Sequence, residues 1–595
     1  MLIAAALSCV LPAQGQTRED SVAYTAGIEP VTVMATPLQP GVLSVVSKGL
    51  QARSLQFEPV GNSVDLLAKL PGVSLRRYGS GGIVSLRYLG QSSAQLRMEW
   101  AGLEVSDPQL GGTALDVLVG ANTQLAFEQT GSAGTSLNLA ARPVTALHIN
   151  TQLSVGAGYR LGVSAPTRLG EIAVTGIHDQ FDFDHSESVS GAPARLKHGA
   201  MTLHRRDTVL ASWEMTTDVF LQATERTLPL TAFERDQAPA ELASREGRFS
   251  LSLRRTHNDF HPSRQAKPVR VPLTARVGML YADRNYRDPF RSLLSEGQTV
   301  QAIGQVAFSL TPQLEVSSEG RLVNSTHNAY SRQASFFRSE HSLGHATHLG
   351  SLPVLAKAYL MTHGLSTPEW AASLELPELS SLPWLKASLL LQRTARYPLL
   401  DDLLWREGGS ATIQAETAWA ATAKLELADH WGLKLFGRQV HDYLLWLPGQ
   451  PFWTPQNLER VSIYGASVHG KREIELHSAK LELLGHLTYT HSNTEFLPSG
   501  SLPFLPNWTG GLNAAVLAGS WQANLTSTYS STQLTTFADD VALPAYAQLD
   551  LSVRYQYAKL SVGVSATNVT NTKIPNADRY PTPLRRAHLN LTYQL

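Results

Sequence analysis

Hydrophobic and polar residues alternate one by one along much of the chain after residue 144. The clearest runs are Leu147, Ile149, Thr151, Leu153, Val155, Ala157, Tyr159 and Leu161, then Val271 to Tyr281, and residues 549–557, 560–566 and 587–595. Because successive side chains of a β-strand point to opposite faces, each run predicts a strand with one apolar and one mostly polar face. Runs of about nine residues or more match the strand length that crosses a bilayer at a tilt. Residues 144–595 are therefore predicted to form a transmembrane antiparallel β-barrel.

The length of this region sets the expected size of the barrel. At roughly 20 residues per strand and connection, its roughly 450 residues give about 22 strands, the size of outer-membrane transporters with a plugged lumen. An open lumen of that width would leak, so a domain that fills it is expected. Aromatic residues near strand ends predict girdles at the membrane interfaces; they include Trp405, Trp419, Trp431, Trp446 and Trp453.

Residues 51–143 are predicted to form that domain. A glycine cluster at residues 79–82 lies between a predicted amphipathic helix, Ser63 to Leu70, and predicted strands at Ile83 to Leu86 and Gln95 to Trp100. The predicted fold class is therefore membrane all-β, an antiparallel transmembrane β-barrel of about 22 strands with an N-terminal α/β plug domain in the lumen. Before the plug, residues 1–15 predict a signal peptide that contains the single cysteine, Cys9, and residues 16–50 predict a periplasmic tether.

Composition agrees with a membrane barrel and excludes several other classes. The chain has 49 Lys and Arg against 49 Asp and Glu, so no basic surface for nucleic acid is predicted. Only 16% of its residues are charged, yet no 18-residue apolar run follows the N-terminus, so helical membrane spans are not expected. No motif of a known nucleophile, zinc-hydrolase or cysteine-pair type is present, and the chain is not predicted to be an enzyme.

Several motifs occur in the order found in one known family. They are Leu66-Leu67, Leu70-Pro71-Gly72-Val73, Arg87-Tyr88, Gly131 to Gly134 and Asn138, then residues 396–405 (RYPLLDDLLW), 442–457, 503–506 and 568–586. On these residues the sequence resembles the TonB-dependent outer-membrane receptors, and residues 396–405 and 446–457 look most like their short cobalamin-receptor subgroup. The resemblance implies a protein of the bacterial outer membrane that is surrounded by outer-membrane lipid.

The resemblance also implies where partners would bind. The extended segment Ile28-Glu29-Pro30-Val31-Thr32-Val33-Met34-Ala35 looks like a TonB box, which would pair edge-on with a TonB-type periplasmic energy-coupling protein. A small-molecule ligand is expected at the plug loops, at Arg77, Tyr78, Ser80, Gln91, Ser92, Ser93, Asp107 and Gln109. A surface lipoprotein is left open as a further partner.

Energy-coupled import is therefore the leading hypothesis, with cobalamin or a related corrinoid as the first choice of ligand. A ferric siderophore or haem is the alternative ligand. The alternative of another class is a passive porin or structural outer-membrane barrel, which would not need the segment from Ile28 to Ala35. A secreted soluble β protein is a further alternative.

Two clusters of polar residues are candidate metal sites. Asp179, Asp182 and Asp184, beside His178, His185 and Glu187, could hold calcium through their oxygen atoms, or form a solvated loop instead. His341, His345 and His348 would share one face of a helix and could then bind haem or a metal. On a strand, His348 would point away from the other two. Apart from calcium, no cofactor is predicted.

Overall fold

The structure, a computed structural model, describes residues 67, 70–77, 84–108, 123–128, 132, 134–141, 144–155, 158–181, 194–210, 213–228, 238–255, 273–289, 293–311, 313–377, 379, 382, 384–428, 430–447, 453–535, 542–574 and 585–595. The predicted signal peptide, tether and segment from Ile28 to Ala35 lie outside these residues, as does most of the helix predicted from Ser63 to Leu70. These features stay predictions.

Short strands before residue 142 form two small sheets. One sheet contains β1 (Val73–Arg77), β2 (Val84–Tyr88) and β3 (Gln91–Ser92), and the other contains β4 (Arg97–Trp100), β5 (Leu103–Glu104), β6 (Thr123–Glu128) and β7 (Ser136–Ala141). A 3-10 helix at Ser93–Gln95 precedes β4. The two predicted strands in this region are found as β2 and β4, with their starts shifted by one and two residues. Leu89-Gly90 and Ala101-Gly102 adopt positive φ in the two-residue turns β2–β3 and β4–β5, as tight hairpins require.

The rest of the described chain is dominated by long strands. They are β8 (His148–Ser154), β9 (Gly158–Thr167), β10 (Gly170–Phe181), β11 (Ala194–Leu210), β12 (Trp213–Thr227), β13 (Glu241–Arg255), β14 (Leu273–Asp288), β15 (Leu293–Thr311), β16 (Leu314–His327), β17 (Ala334–Leu349), β18 (Leu352–His363), β19 (Ser366–Leu376), β20 (Leu385–Arg396), β21 (Glu416–Leu427), β22 (Trp431–Leu447), β23 (Thr454–Leu476), β24 (Ala479–Asn493), β25 (Trp508–Ala518), β26 (Trp521–Ser530), the short pair β27 (Gln533–Leu534) and β28 (Ala542–Leu543), β29 (Tyr546–Tyr557), β30 (Leu560–Thr567) and β31 (Arg586–Gln594).

Apart from β27 and β28, strands β8 to β31 pair antiparallel with their neighbours, and β31 pairs with β8 to close a 22-stranded barrel. The predicted number of strands and the closed antiparallel architecture are thus confirmed. No helix within the described ranges has the length and apolar character needed to cross a membrane.

The alternation of side chains assigns the two faces of the barrel. On β14, Val277 and Met279 are 52% and 56% exposed on the outer face, whereas Arg276 points inward and donates to the carbonyl oxygen of plug residue Gly102. One predicted run needs correction, because residues 147–161 form two strands rather than one. Leu153 of β8 pairs with Tyr159 of β9 across a hairpin, so both face outward and the alternation continues through the turn.

The predicted aromatic girdle is only partly found. Trp419, Trp431 and Trp453 are exposed, as an interfacial residue should be. Trp405 and Trp446 are less exposed and belong to the lumen, since Trp405 ends a helix inside the barrel and the Trp446 indole donates to a side chain of that helix. Their assignment to the girdle was wrong.

The N-terminal domain lies inside the barrel. Its fully buried side chains Leu86, Met98, Leu103 and Leu137 form one hydrophobic cluster with side chains from β12, β14, β15 and β22, which are Phe220, Leu280, Ile303 and Phe436. Contacts with strands spread around the barrel wall are possible only from within the lumen. The predicted arrangement of a plug inside a barrel is therefore observed.

The two ends of the barrel differ in their connections. At the short-turn end, two residues join β17 to β18, β23 to β24 and β29 to β30. At the opposite, long-loop end, residues 397–415 join β20 to β21 and contain the helix α1 (Leu400–Leu404). This connection, the strap, folds into the lumen over the plug.

Candidate functional site at the apex of the plug

Arg97 of β4 is the centre of a buried charge network between plug and barrel. Its guanidinium group lies 3.1 Å from the carboxylate of Glu319 on β16 and 3.0 Å from that of Glu340 on β17. Within the plug it also pairs with Glu99 at 2.9 Å. Burial alone would lower the pKa of Arg97, but the surrounding carboxylates raise it well above its ordinary value, so this residue stays charged.

Glu104 of β5 is a second buried plug charge in this network, and it faces two arginines of the barrel wall. Its carboxylate is 3.3 Å from Arg321 and 3.4 Å from Arg338, on the same two barrel strands. Burial acts to raise the pKa of Glu104, but the facing guanidinium groups of Arg338, Arg321 and Arg97 outweigh it and lower the pKa from 4.5 to about 2. Glu104 is therefore ionised at neutral pH.

The network fixes the plug in one position on the wall formed by β16 and β17. A buried ion that loses its partner is costly, typically about 3–5 kcal/mol, so displaced positions of the plug that separate these charges are disfavoured. None of these charged residues was predicted as part of a site from the sequence. The available signal was three charges, Arg97, Glu99 and Glu104, within eight residues of a domain expected to fill the lumen.

Two of the plug residues predicted to face the ligand are covered. Gln91 and Asp107 are only 8% and 5% exposed, and the carboxylate of Asp107 pairs with Arg284 of β14. Contact between these residues and a ligand stays a prediction. The other predicted positions are partly buried (Ser92 and Ser93), at the end of β1 (Arg77), or outside the described residues (Tyr78, Ser80 and Gln109).

The strap covers the plug apex with an apolar face. The backbone N–H of Leu400 donates to the carbonyl oxygen of Pro108 at 2.8 Å, which joins strap and plug directly. Leu400 is 1% exposed and packs, together with Leu403, in a cluster with Val323 of β16 and Phe336 of β17. The strap is thus part of the packed interior.

Two adjacent aspartates attach α1 to the barrel wall. Asp401 accepts a 2.5 Å hydrogen bond from the hydroxyl of Tyr330, on the connection between β16 and β17. Asp402 accepts a 2.7 Å hydrogen bond from the indole N–H of Trp446 on β22, and its other oxygen caps the helix through the N–H of Leu399. Burial raises the pKa of Asp401 to about 6, and it also raises the pKa of Asp402.

A cavity of about 90 Å³ lies between the strap and the plug. It is lined by strap residues 397–400, plug residues 94–97 and 106–108, and wall residues that include Val323, Phe336 and His363. Along one side the ring of His363 stacks on Tyr397, with centroids 5.0 Å apart, and contacts the tilted ring of Phe336, with centroids 4.4 Å apart. Since pockets for small organic ligands typically measure roughly 300–1,000 Å³, the cavity has room for a few water molecules and not for such a ligand.

The acidic cluster predicted to bind calcium is only partly described. Asp179 is 2% exposed on the inner face of β10, where it pairs with Arg160 at 3.3 Å and with Arg586 at 2.7 Å. The described part of the chain contains no group of three or more His, Cys, Asp or Glu side chains arranged to hold a metal ion. Asp182 and Asp184 lie outside the described residues, so calcium binding stays a prediction.

The three candidate histidines do not form a site in the lumen. They lie on strand β17, where His341 and His345 are exposed on the outer face beside Leu343, which is 51% exposed. Glu340 on the same strand contacts the plug, so the inner face is the opposite one. His348 is displaced by an odd number of residues and points to the other side. The alternative in which all three share a helical face is wrong.

Comparison with known proteins assigns the architecture to a family. The sequence matches the family described as "TonB dependent receptor-like, beta-barrel" over residues 245–569. No curated protein matches the sequence.

Solved structures with the same architecture cover nearly the whole chain at low sequence identity. The fold is similar to a ferric enterobactin receptor from Pseudomonas aeruginosa, with 13% identity, 91% of this chain and 96% of that chain covered, and a TM-score of 0.70. It is also similar to the siderophore receptor PirA from Acinetobacter baumannii (11% identity, 91% and 96% covered, TM-score 0.68). The FrpB iron transporter from Neisseria meningitidis matches with 12% identity, 91% and 98% coverage and a TM-score of 0.72.

Proposed function

This chain belongs to the TonB-dependent receptor β-barrel family of the bacterial outer membrane, and we propose that it imports a scarce small-molecule ligand by energy-coupled transport. Members of this family are transporters rather than enzymes. In outer-membrane barrels the short turns face the periplasm and the longer loops face outside. The long-loop end with the strap is accordingly the side at which the ligand arrives.

The observation that carries this proposal is the plug held in the lumen by the buried charges around Arg97 and Glu104. A passive porin needs a water-filled passage, whereas here the plug packs on strands around the wall. Opening a path requires work against these contacts. A TonB-type periplasmic protein that pulls on the segment from Ile28 to Ala35 would supply that work.

A ferric siderophore is the ligand class that we propose first. The three similar solved structures are of a ferric enterobactin receptor, a siderophore receptor and an iron transporter, which supports an iron chelate as the ligand of this chain. A corrinoid remains the second candidate, because residues 396–405 and 446–457 resemble the cobalamin-receptor subgroup. Haem is less favoured, since His341 and His345 lie on the outer face of the barrel.

Deletion of residues 28–35 tests whether transport is coupled to a periplasmic partner. We expect ligand binding to intact cells to be unchanged and accumulation inside the cells to be lost. A deletion of equal length at residues 16–23 is the matched control and should leave both unchanged. Undiminished accumulation after deletion of residues 28–35 would contradict energy coupling and favour passive passage.

The ligand class is tested by direct binding to the protein purified in detergent. Ferric enterobactin, cyanocobalamin and haem are titrated side by side, with quenching of tryptophan fluorescence and calorimetry as readouts. We expect saturable binding of the ferric siderophore at micromolar concentration or below. Saturable binding of cyanocobalamin alone would replace the siderophore by the corrinoid, and binding of none of the three would refute both candidates.

A further inference from the structure

The strap has two chemically different faces. Leu400, Leu403 and Leu404 are buried against the barrel wall, at most 8% exposed. Arg406 and Glu407, directly after the helix, are exposed. One face therefore packs in the lumen and the other is open to solvent at the long-loop end. A molecule that enters from outside meets this second face before it meets the plug.

Polar contacts from the strap go to the connection between β16 and β17 and to strand ends at the long-loop end, where the hydroxyl of Tyr397 donates to the carbonyl oxygen of Met361 and accepts from the backbone N–H of Glu369. Besides the bonds of Asp401 to Tyr330 and of Asp402 to Trp446, the guanidinium group of Arg406 donates to the carbonyl oxygens of Asn328 and Tyr330 at 3.0 and 3.2 Å. Toward the plug, the strap contributes the bond from Leu400 N–H to Pro108. These contacts lie at the long-loop ends of the strands and are separate from the hydrogen bonds that pair the barrel strands, so breaking them does not open the barrel.

The geometry points to the strap, residues 397–415, as a gate over the plug: it parts from Pro108 before the plug can move. This inference rests on the proposed transport function. In the observed conformation the gate is closed, since Asp107 beneath it is buried and the cavity between strap and plug is too small for a chelate. The hydrogen bonds of Tyr330 and Trp446 to the two aspartates form its latch.

Cysteine labelling tests the gate without knowledge of the ligand. Val323 lines the cavity, is 2% exposed and packs on the leucines of the strap. In cells that express Val323→Cys, a membrane-impermeant maleimide should react slowly. Adding Tyr330→Phe removes one latch hydrogen bond without a large change of shape, whereas Trp446→Phe removes the other together with part of the ring, and we expect the labelling rate to rise at least ten-fold in both.

Two controls make this measurement specific. Glu407→Gln changes the charge of the exposed face of the strap without touching the latch, and it should leave the labelling rate within two-fold. Arg332→Cys, at an exposed position on the connection between β16 and β17, should react quickly in every background. If Val323→Cys reacts as fast as Arg332→Cys, or if the latch variants leave its rate unchanged, the strap is not a closed gate.

A disulfide across the contact tests whether the gate must open for transport. The short distance between Leu400 N and Pro108 O places these residues close enough for a cysteine pair, Pro108→Cys with Leu400→Cys. The native Cys9 lies in the predicted signal peptide, so it should not compete. Oxidation should reduce uptake of ferric enterobactin at least ten-fold, and a permeable reductant should restore it.

A second crosslink controls for rigidity of the barrel. Ser317 and Ser342 face each other on β16 and β17, with their hydroxyl oxygens 2.6 Å apart, and a cysteine pair there should not affect uptake. Full uptake by the oxidised strap–plug pair would overturn the gate. Absence of uptake in the reduced protein, and in the wild type, would instead contradict the proposed function.

Discussion

Replacement of Arg97 by methionine is the most direct test of how the plug is held. Methionine keeps an unbranched side chain of similar length and removes the charge that faces Glu319, Glu340 and Glu99. The three carboxylates then remain close together without the positive charge of Arg97 to balance them. Removal of one partner from a buried ionic cluster typically costs about 3–5 kcal/mol, and we expect a loss of this size in the free energy of opening the plug.

Hydrogen exchange of the purified protein in detergent measures that loss. A change of about 3–5 kcal/mol corresponds to a fall of roughly 10²–10⁴-fold in the protection of plug amides that exchange by opening of the whole domain. The amides of β4 and β7 should show it, whereas those of β29 and β30, on the barrel wall, should not.

The pH dependence of the variant gives a second readout. Burial raises the pKa of Glu99 already in the wild type, and loss of the facing guanidinium group raises it further. As the pH falls, the carboxylates take up protons and lose their charge. The difference in plug protection between the variant and the wild type should therefore shrink in acid. Lys197→Met is the matched control, because its partner Glu225 is 73% exposed and the pair at 3.9 Å should contribute little. Unchanged protection of β4 and β7 in Arg97→Met would refute the reasoning.

Further predictions concern the lipid face, one plug turn and Glu104. Val277→Arg on the outer face should cost about 2–4 kcal/mol and reduce the heat-resistant folded fraction on gels, whereas Val155→Arg at a hairpin end should cost little. Gly90→Ala should cost at least about 1–2 kcal/mol, because φ is +80° and the new Cβ would meet an isoleucine side chain of β23 at 2.5 Å. Gly519→Ala, also at positive φ but with open space around it, should cost less in the same thermal unfolding assay. Since the pKa of Glu104 is lowered to about 2, its stabilising contribution should be lost as the pH falls from about 4.5 toward 2, and Glu104→Gln should abolish that part of the pH dependence of plug protection.

The barrel could be predicted from sequence because the membrane imposes a simple rule on every strand. Val277 and Met279 face lipid, so each second residue must be apolar, and the period of two is visible without knowledge of any partner strand. The same rule explains why the hairpin between β8 and β9 was predicted as a single strand. Leu153 and Tyr159 pair across it and keep the same face, so the alternation passes through the turn unchanged.

The candidate site could not be predicted in the same way because its contacts join distant parts of the chain. Arg97 meets Glu319 and Glu340 across separations of 222 and 243 residues, and no local pattern specifies such pairs. Trp446 is a similar case. Its position near the end of a strand indicated the membrane interface, but its indole N–H is used by Asp402 inside the lumen. A polar partner for a buried tryptophan is visible only once the strap is folded.

The hairpin formed by β16 and β17 contacts both structures that hold the plug in place, which are the strap and the charge network around Arg97 and Glu104. At the tip of the hairpin, Tyr330 binds the strap. Farther along the strands toward the short-turn end, Val323 and Phe336 pack on the leucines of the strap. Still farther from the tip, the hairpin contributes four charged side chains to the network around Arg97 and Glu104, which are Glu319, Arg321, Arg338 and Glu340. Its two strands are paired continuously from residues 314 and 345 to residues 325 and 334, so they move as one unit. A ligand that displaces the strap therefore acts on the same rigid element that carries the charges holding the plug, which gives the two sites a physical connection through a single hairpin.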